Sequence, residues 1–209
     1  MGPLTQSEVD SQASHWNVYR PSNILILQSE EKKRKMEHLE GSHGTSSHRA
    51  DQIKKEGFRV STGRGGTGVY FWRKSAYYRE LAIAWFKQEE LEGRFSREPK
   101  SACAVIYVEM VVSPDQYLDL EDPDIKDKID ALSKQKNMNV NNSREIASLY
   151  DLFVGELEKE LGAAIVVTII RVAPPKNFVE YPIRMLGAPL CFITRDPSVP
   201  RISRIEKIN

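Results

Sequence analysis

The sequence predicts an α+β fold around a mainly antiparallel β-sheet with short flanking helices. Three observations carry that expectation. Runs rich in β-branched and aromatic residues have strand length, as at 69–72, 104–112 and 190–194. Amphipathic segments of helix length lie between them. No regular β-α-β alternation runs through the chain, which argues against a doubly wound parallel sheet. The 209 residues are enough for one domain with a sizeable core. With 40% hydrophobic and 28% charged residues, the chain is expected to fold. A net charge of +1 gives no strong global field toward nucleic acid or membrane, and leaves a local basic patch open. No apolar stretch reaches the roughly 18 residues a membrane helix needs, and the opening MGPLTQSEVDSQ lacks a signal-peptide core, so a soluble, cytoplasmic protein is expected.

Residues 1–38 read as a polar N-terminal segment or arm, and 39–209 as the domain. Within the arm, Asn23–Leu27 has the composition of a short strand, and the mixed charges of 29–39 read as a solvated face or linker. Ser46 or Ser47 caps a short helix, with Lys54 and Lys55 in its last turn and Gly57 just beyond. A strand over 68–72 follows. The next helix begins after Ser75, puts Tyr78, Leu81, Ala82 and Trp85 on one face, and ends at Gly93. Ala104–Val112 is a strand with Ile106, Val108, Met110 and Val112 on one side. Asp122-Pro123 starts a helix with Ile125, Ile129 and Leu132 inward. Asn142 and Glu145 form a capping-box-like start to a longer helix. Its buried face carries Ile146, Leu149, Tyr150, Phe153, Leu157 and Leu161, and Gly162 ends it. Strands are expected at Ala163–Val172, Leu190–Thr194 and 201–208.

The stretch STGRGGTGVYFW, residues 61–72, carries the glycine spacing of two nucleotide-binding motifs and satisfies neither. A P-loop requires Lys and then Ser or Thr after its last glycine, whereas Gly68 precedes Val69 and Tyr70. A dinucleotide fingerprint opens a helix, whereas this loop opens a β-branched and aromatic strand. Cys103 and Cys191 each sit in an apolar run, as buried small hydrophobes do, and no set of metal ligands is spaced for a zinc site.

Three pieces then fall in order: His43-Gly44-Thr45 before the first helix, Gly68-Val69-Tyr70-Phe71, and Ser75-Ala76-Tyr77-Tyr78 at the start of the second helix. The series resembles the catalytic domain of the ADP-ribosyltransferases, in the diphtheria-toxin-like branch that includes the poly(ADP-ribose) polymerases. The resemblance is tight over residues 41–80, looser through 104–120, and returns in the last twenty residues. It implies a split β-sheet over 39–209 and NAD as substrate, bound without a metal. Gly44 would pair its backbone with the nicotinamide carboxamide, an approach that a Cβ would obstruct. Tyr70 and Tyr78 would stack on the ring. Ser75 would add a hydroxyl to the carboxamide, and Thr45 belongs to the same binding segment. His43 would clamp the adenosine-ribose hydroxyls by hydrogen bonds. Taken singly, each of these residues also fits an ordinary core or turn position.

The reaction the family performs breaks the nicotinamide–ribose bond and builds positive charge on the ribose, which a carboxylate stabilises. The family's late strand carries a Glu in a frame like E-[YF]-I-x-x-D. Here that frame reads Cys191-Phe192-Ile193-Thr194-Arg195-Asp196. A thiol with a reference pKa of about 8.5, raised by burial, is mostly neutral and does not replace a carboxylate. Three readings stay open: a mono-ADP-ribosyltransferase that works without the Glu, one in which Glu180 supplies the charge, or an inactive fold that binds NAD-like ligands or partners. The acceptor implied is a protein or a nucleic acid. The loop 173–186, with Lys176, Phe178, Tyr181 and Arg184, would meet it either as a nucleic-acid platform or as a lid. The chain's size fits a compact bacterial or phage-conflict toxin with a neutralising, antitoxin-like partner.

Overall fold

A computed structural model describes residues 35–98 and 102–208. In chain order the elements are β1 (Glu37–Ser46), α1 (Ser47–Glu56), β2 (Ser61–Gly63), β3 (Gly66–Arg73), α2 (Tyr78–Leu91) and β4 (Cys103–Val112). There follow β5 (Tyr117–Asp119), α3 (Pro123–Gln135), α4 (Ser143–Leu161), β6 (Val167–Arg171), α5 (Ile183–Leu186), β7 (Leu190–Thr194) and β8 (Arg201–Ile208). The class is α+β. The strands join in the order β5-β6-β7-β3-β1-β4-β8, with β2 forming a hairpin on β3. The β5–β6 ladder is parallel and the other ladders among the described residues are antiparallel.

The sheet bends where β1 meets β3. These two strands pair at Gly41↔Arg73 and Ser42↔Trp72, while β1 and β4 stay in register from Glu37↔Val112 to Ser46↔Cys103. Beyond the two pairs the halves fold toward each other. Thr194 Oγ1 on β7 lies 3.1 Å from Met110 Sδ on β4, although β3 and β1 stand between those strands in the sheet. The enclosed core joins Ile106, Val108 and Met110 from one half to Phe71, Ile169 and Phe192 from the other. Burying side chains of this size is worth about 1.5–3 kcal/mol each, so this shared core holds the bend closed. On the outer face, α3 and α4 cover Ile170 and Ile193, and α2 covers Trp72, Val105 and Tyr107.

Local chemistry explains the helix ends. Ser46 caps α1 by accepting from Arg49 N–H at 3.1 Å, and Gly57 follows it at φ 83°. Asp122 accepts from the Asp124 and Ile125 N–H groups to start α3. Asn142 accepts from Arg144 N–H at α4. The expected capping box there does not close: Glu145 instead accepts from Asn139 N–H at 2.7 Å, pinning the preceding loop.

Several boundaries differ from those expected. Strand β1 begins at Glu37, inside the stretch assigned to the charged arm, because Glu37 already pairs with Val112 in the β1–β4 ladder. The strand expected over 163–172 is shorter, since Ile165 N–H donates to Glu158 on α4 and not to a strand. Trp85 is only partly covered, whereas Ala84 and Phe86 are buried with Leu81 and Ala82. The strand expected at Asn23–Leu27 lies outside the described residues.

Candidate functional site

The His43 ring and the Tyr70 carbonyl meet at the bend, one residue before Gly44. Lys74 N–H donates to Glu40 O at 2.8 Å, so Glu40 turns its peptide groups toward β3. Antiparallel strands alternate this direction residue by residue. The unbroken register with β4 then turns the N–H and C=O of Ser42 and Gly44 toward β3 as well. Ser42 faces Trp72 in the ladder; Gly44 lies past the last pair, where the strands part.

His43 bridges that parting. Its Nδ1 lies 3.0 Å from Tyr70 O, and a carbonyl only accepts, so Nδ1 carries the proton and Nε2 is left as an acceptor. The ring packs edge-on against Phe58 and Phe71, with centroids 6.0 and 5.9 Å away. Burial lowers its pKa below the ordinary histidine value, and the Arg49 charge acts in the same direction. The imidazole is therefore neutral near pH 7: a fixed hydrogen-bonding group, not a cation.

Tyr70 is held at its phenol end by the glycine-rich hairpin. Its hydroxyl donates to Gly66 O at 2.6 Å and accepts from Gly65 N–H at 3.1 Å. Gly63 lies against the ring, and a Cβ there would be 2.6 Å from Tyr70 Cζ. Burial raises the Tyr70 pKa well above the ordinary phenol value. The glycines thus serve close packing in a β2–β3 hairpin, Gly63 against Tyr70, Gly65 and Gly68 against Ile193, and a strand, not a helix N-terminus, follows them.

The other expected residues sit elsewhere. The Tyr78 ring meets Tyr107 edge-on at 5.5 Å, and its carbonyl accepts from Ser42 Oγ at 2.7 Å. Tyr77 is the ring that turns toward Tyr181 and Phe178, at 5.5 and 6.4 Å. Ser75 is exposed at the turn before α2, where its Oγ accepts from Tyr77 N–H, and Thr45 is buried in β1. A cavity of about 170 Å³ is lined by Tyr78, Tyr107, Ser203, Arg204 and Glu40, but not by His43 or Tyr70. The structure therefore sets His43 against the Tyr70 carbonyl but keeps the two rings apart: His43 packs on Phe58 and Phe71, whereas the Tyr70 ring shares the Trp72 cluster with Tyr78, and Ser75 is exposed.

Cys191 pairs with Trp72 across the β3–β7 ladder and is 3% exposed. Its thiol donates weakly to Phe192 O at 3.6 Å. Burial pushes the Cys191 pKa up to about 12 and that of Cys103 to about 11, so both are neutral thiols at physiological pH. Native protein at pH 8 is accordingly expected to react with Ellman's reagent at neither cysteine, and denaturant to release two thiols. Rapid labelling of the native protein would contradict the burial of these groups. Glu180 is exposed on the loop between β6 and α5. Tyr181, by contrast, is buried with Cys191 and Trp72, so this loop packs as a cover over that cluster.

Sequence reasoning missed three groups. Asp151, on α4, binds the glycine hairpin. Tyr77, next to the expected Tyr78 and equally half-buried, packs against Tyr181. Arg79, Tyr107 and Glu206 tie α2 to β4 and β8, with Arg79 Nη2 2.6 Å and Tyr107 Oη 2.7 Å from the Glu206 carboxylate. The i, i+1 ambiguity of Tyr77 and Tyr78 was visible in sequence; the other pairings span distant elements and have no local signature.

No protein-family model matches the chain, and no curated protein matches it in sequence. Among the described residues, no group of three or more His, Cys, Asp or Glu side chains is arranged to hold a metal ion, and no helix is long and apolar enough to cross a membrane.

Proposed function

We propose that this chain is an NAD-dependent mono-ADP-ribosyltransferase that transfers ADP-ribose to a macromolecular acceptor, protein or nucleic acid, as a cytoplasmic toxin or effector with a neutralising partner. One observation carries the reading. Where β1 and β3 part, a neutral His43 fixed in one tautomer by the Tyr70 carbonyl stands next to the β3-facing peptide groups of Gly44. A peptide N–H and C=O on one residue match the carboxamide of nicotinamide, which offers one acceptor and one donor in a plane. His43 Nε2 is an acceptor suited to a ribose hydroxyl. Tyr70 contributes its carbonyl to hold His43, while its ring packs with Tyr78 on the Trp72 cluster. NAD brings an activated glycosidic bond whose cleavage leaves positive charge on the ribose. The chain's part is to hold the dinucleotide and exclude water.

A second reading, a binding module without turnover, is favoured by the carboxylate position. Cys191 is buried and neutral, and Glu180 is exposed on the loop. Incubation with NAD labelled in its adenylate part, together with cell lysate, separates the two. A transferase leaves acid-insoluble label and releases free nicotinamide. Loss of the label to protease identifies a protein acceptor, and loss to nuclease a nucleic acid. Binding of NAD without label or nicotinamide release would select the module.

A further inference from the structure

We infer that Asp151 is a positioning residue for Tyr70, acting through the glycine hairpin; as a statement about ligand binding, this rests on the NAD reading above. The connection is made of short, directed bonds. Asp151 Oδ1 accepts from Thr67 N–H at 2.8 Å, and Oδ2 accepts from Thr67 Oγ1 at 2.8 Å. Thr67 follows Gly66, whose carbonyl accepts from the Tyr70 hydroxyl at 2.6 Å. One carboxylate on α4 thereby holds the N–H side of the Gly66–Thr67 peptide whose carbonyl accepts from the phenol.

Two further features fit this role. Gly66 has φ 101°, and a Cβ there would lie 2.7 Å from Asp151 Oδ1, so the glycine both permits the turn and admits the carboxylate. Arg195 Nη1 lies 3.0 Å from Asp151 Oδ1 and is itself just beyond β7, the strand that pairs with Tyr70's strand. Arg195 therefore holds the carboxylate from one side and Thr67 from the other. The outcome is a ring with little freedom about its own axis and tilt, which is what a stacking surface requires. A hairpin tip without this anchor samples several conformations, and the ring moves with it.

The test uses the full chain and the variants Asp151→Asn, Tyr70→Phe and the double variant, with two measurements. The first needs no ligand. With ¹³Cζ-labelled tyrosine, the Tyr70 resonance is the one absent from Tyr70→Phe. In Asp151→Asn it is expected to shift, since the Gly66–Thr67 peptide that holds the hydroxyl loses its anchor. An unchanged Tyr70 resonance overturns the inference whatever NAD does. The second is NAD affinity by calorimetry. Asp151→Asn and Tyr70→Phe are each expected to weaken binding on the order of tenfold, and the double variant no more than either alone. A merely structural aspartate would instead weaken binding additively in the Tyr70→Phe background, and that result also overturns the inference. A shifted Tyr70 resonance with no NAD binding by wild type would retain the Asp151–Tyr70 connection and remove the NAD reading.

Discussion

Gly44→Ala is expected to destabilise the protein by at least about 3 kcal/mol, at the upper end of overpacking effects. A Cβ at this position would lie 1.8 Å from Ala82 O and 2.6 Å from Ala82 C. Those atoms belong to the backbone of α2, so no rotamer change relieves the overlap, and the helix must lift from β1. Lifting it also strains the Ser42 Oγ bond to Tyr78 O and the Arg79–Glu206 pair. Gly41→Ala provides the comparison, because its nearest obstacle is the Phe71 Cβ at 2.9 Å. Urea unfolding should place Gly44→Ala well below Gly41→Ala. Equal midpoints would mean that α2 sits farther from β1 than described. The result matters for function too. Gly44 has a packing reason to be glycine independent of any ligand, so loss of NAD binding in this variant cannot by itself identify a nicotinamide contact.

His43→Ala is expected to abolish the rise in melting temperature that NAD gives the wild type. At NAD a hundredfold above Kd the wild type gains about 2.7 kcal/mol of stability. The variant loses the acceptor Nε2 and leaves the Tyr70 carbonyl without its donor, which by itself lowers stability by about 1 kcal/mol. Scanning fluorimetry with NAD, and with nicotinamide alone, reads both effects. An equal NAD-induced rise in the two proteins would remove His43 from the binding site. The same substitution changes the pH dependence of the ligand-free protein. Since the folded-state pKa of His43 lies below the unfolded value, the unfolded chain binds the extra proton first as pH falls. Stability is therefore complete above the unfolded value of about 6.5 and declines as pH falls below it. His43→Ala should lose that part of the acid dependence. A wild-type curve flat from pH 7 to 5, identical to that of the variant, would show that the imidazole is not enclosed.

What could be read from the sequence was whatever depends on neighbouring residues. The cap at Ser46, the Pro123 start, the left-handed Gly162 and the alternation of Ile106, Val108, Met110 and Val112 are local, and the structure has each. Strands β2 and β5 span three residues each and were too short to show a period. At the candidate site, His43, Gly44 and Tyr70 came from the resemblance of their motifs, and the structure brings the His43 ring to the Tyr70 carbonyl. Tyr78 was assigned a stacking role by the family resemblance of Ser75-Ala76-Tyr77-Tyr78. The structure instead turns Tyr77 toward the aromatic cover, since Tyr107 on β4 takes the Tyr78 ring. Asp151 was silent because it serves a hairpin far away in the chain.

The pairing order of the strands bears on how the chain comes off the ribosome. Val69 waits for Thr194, and Cys103 waits for Ile208. Each half of the sheet is thus completed by a strand made much later than its partner, and until then β3 and β4 each present an unsatisfied edge. A nascent chain in that condition is slow to reach its final form and open to chaperones. Whatever activity the folded domain has, it is withheld until β7 and β8 have emerged.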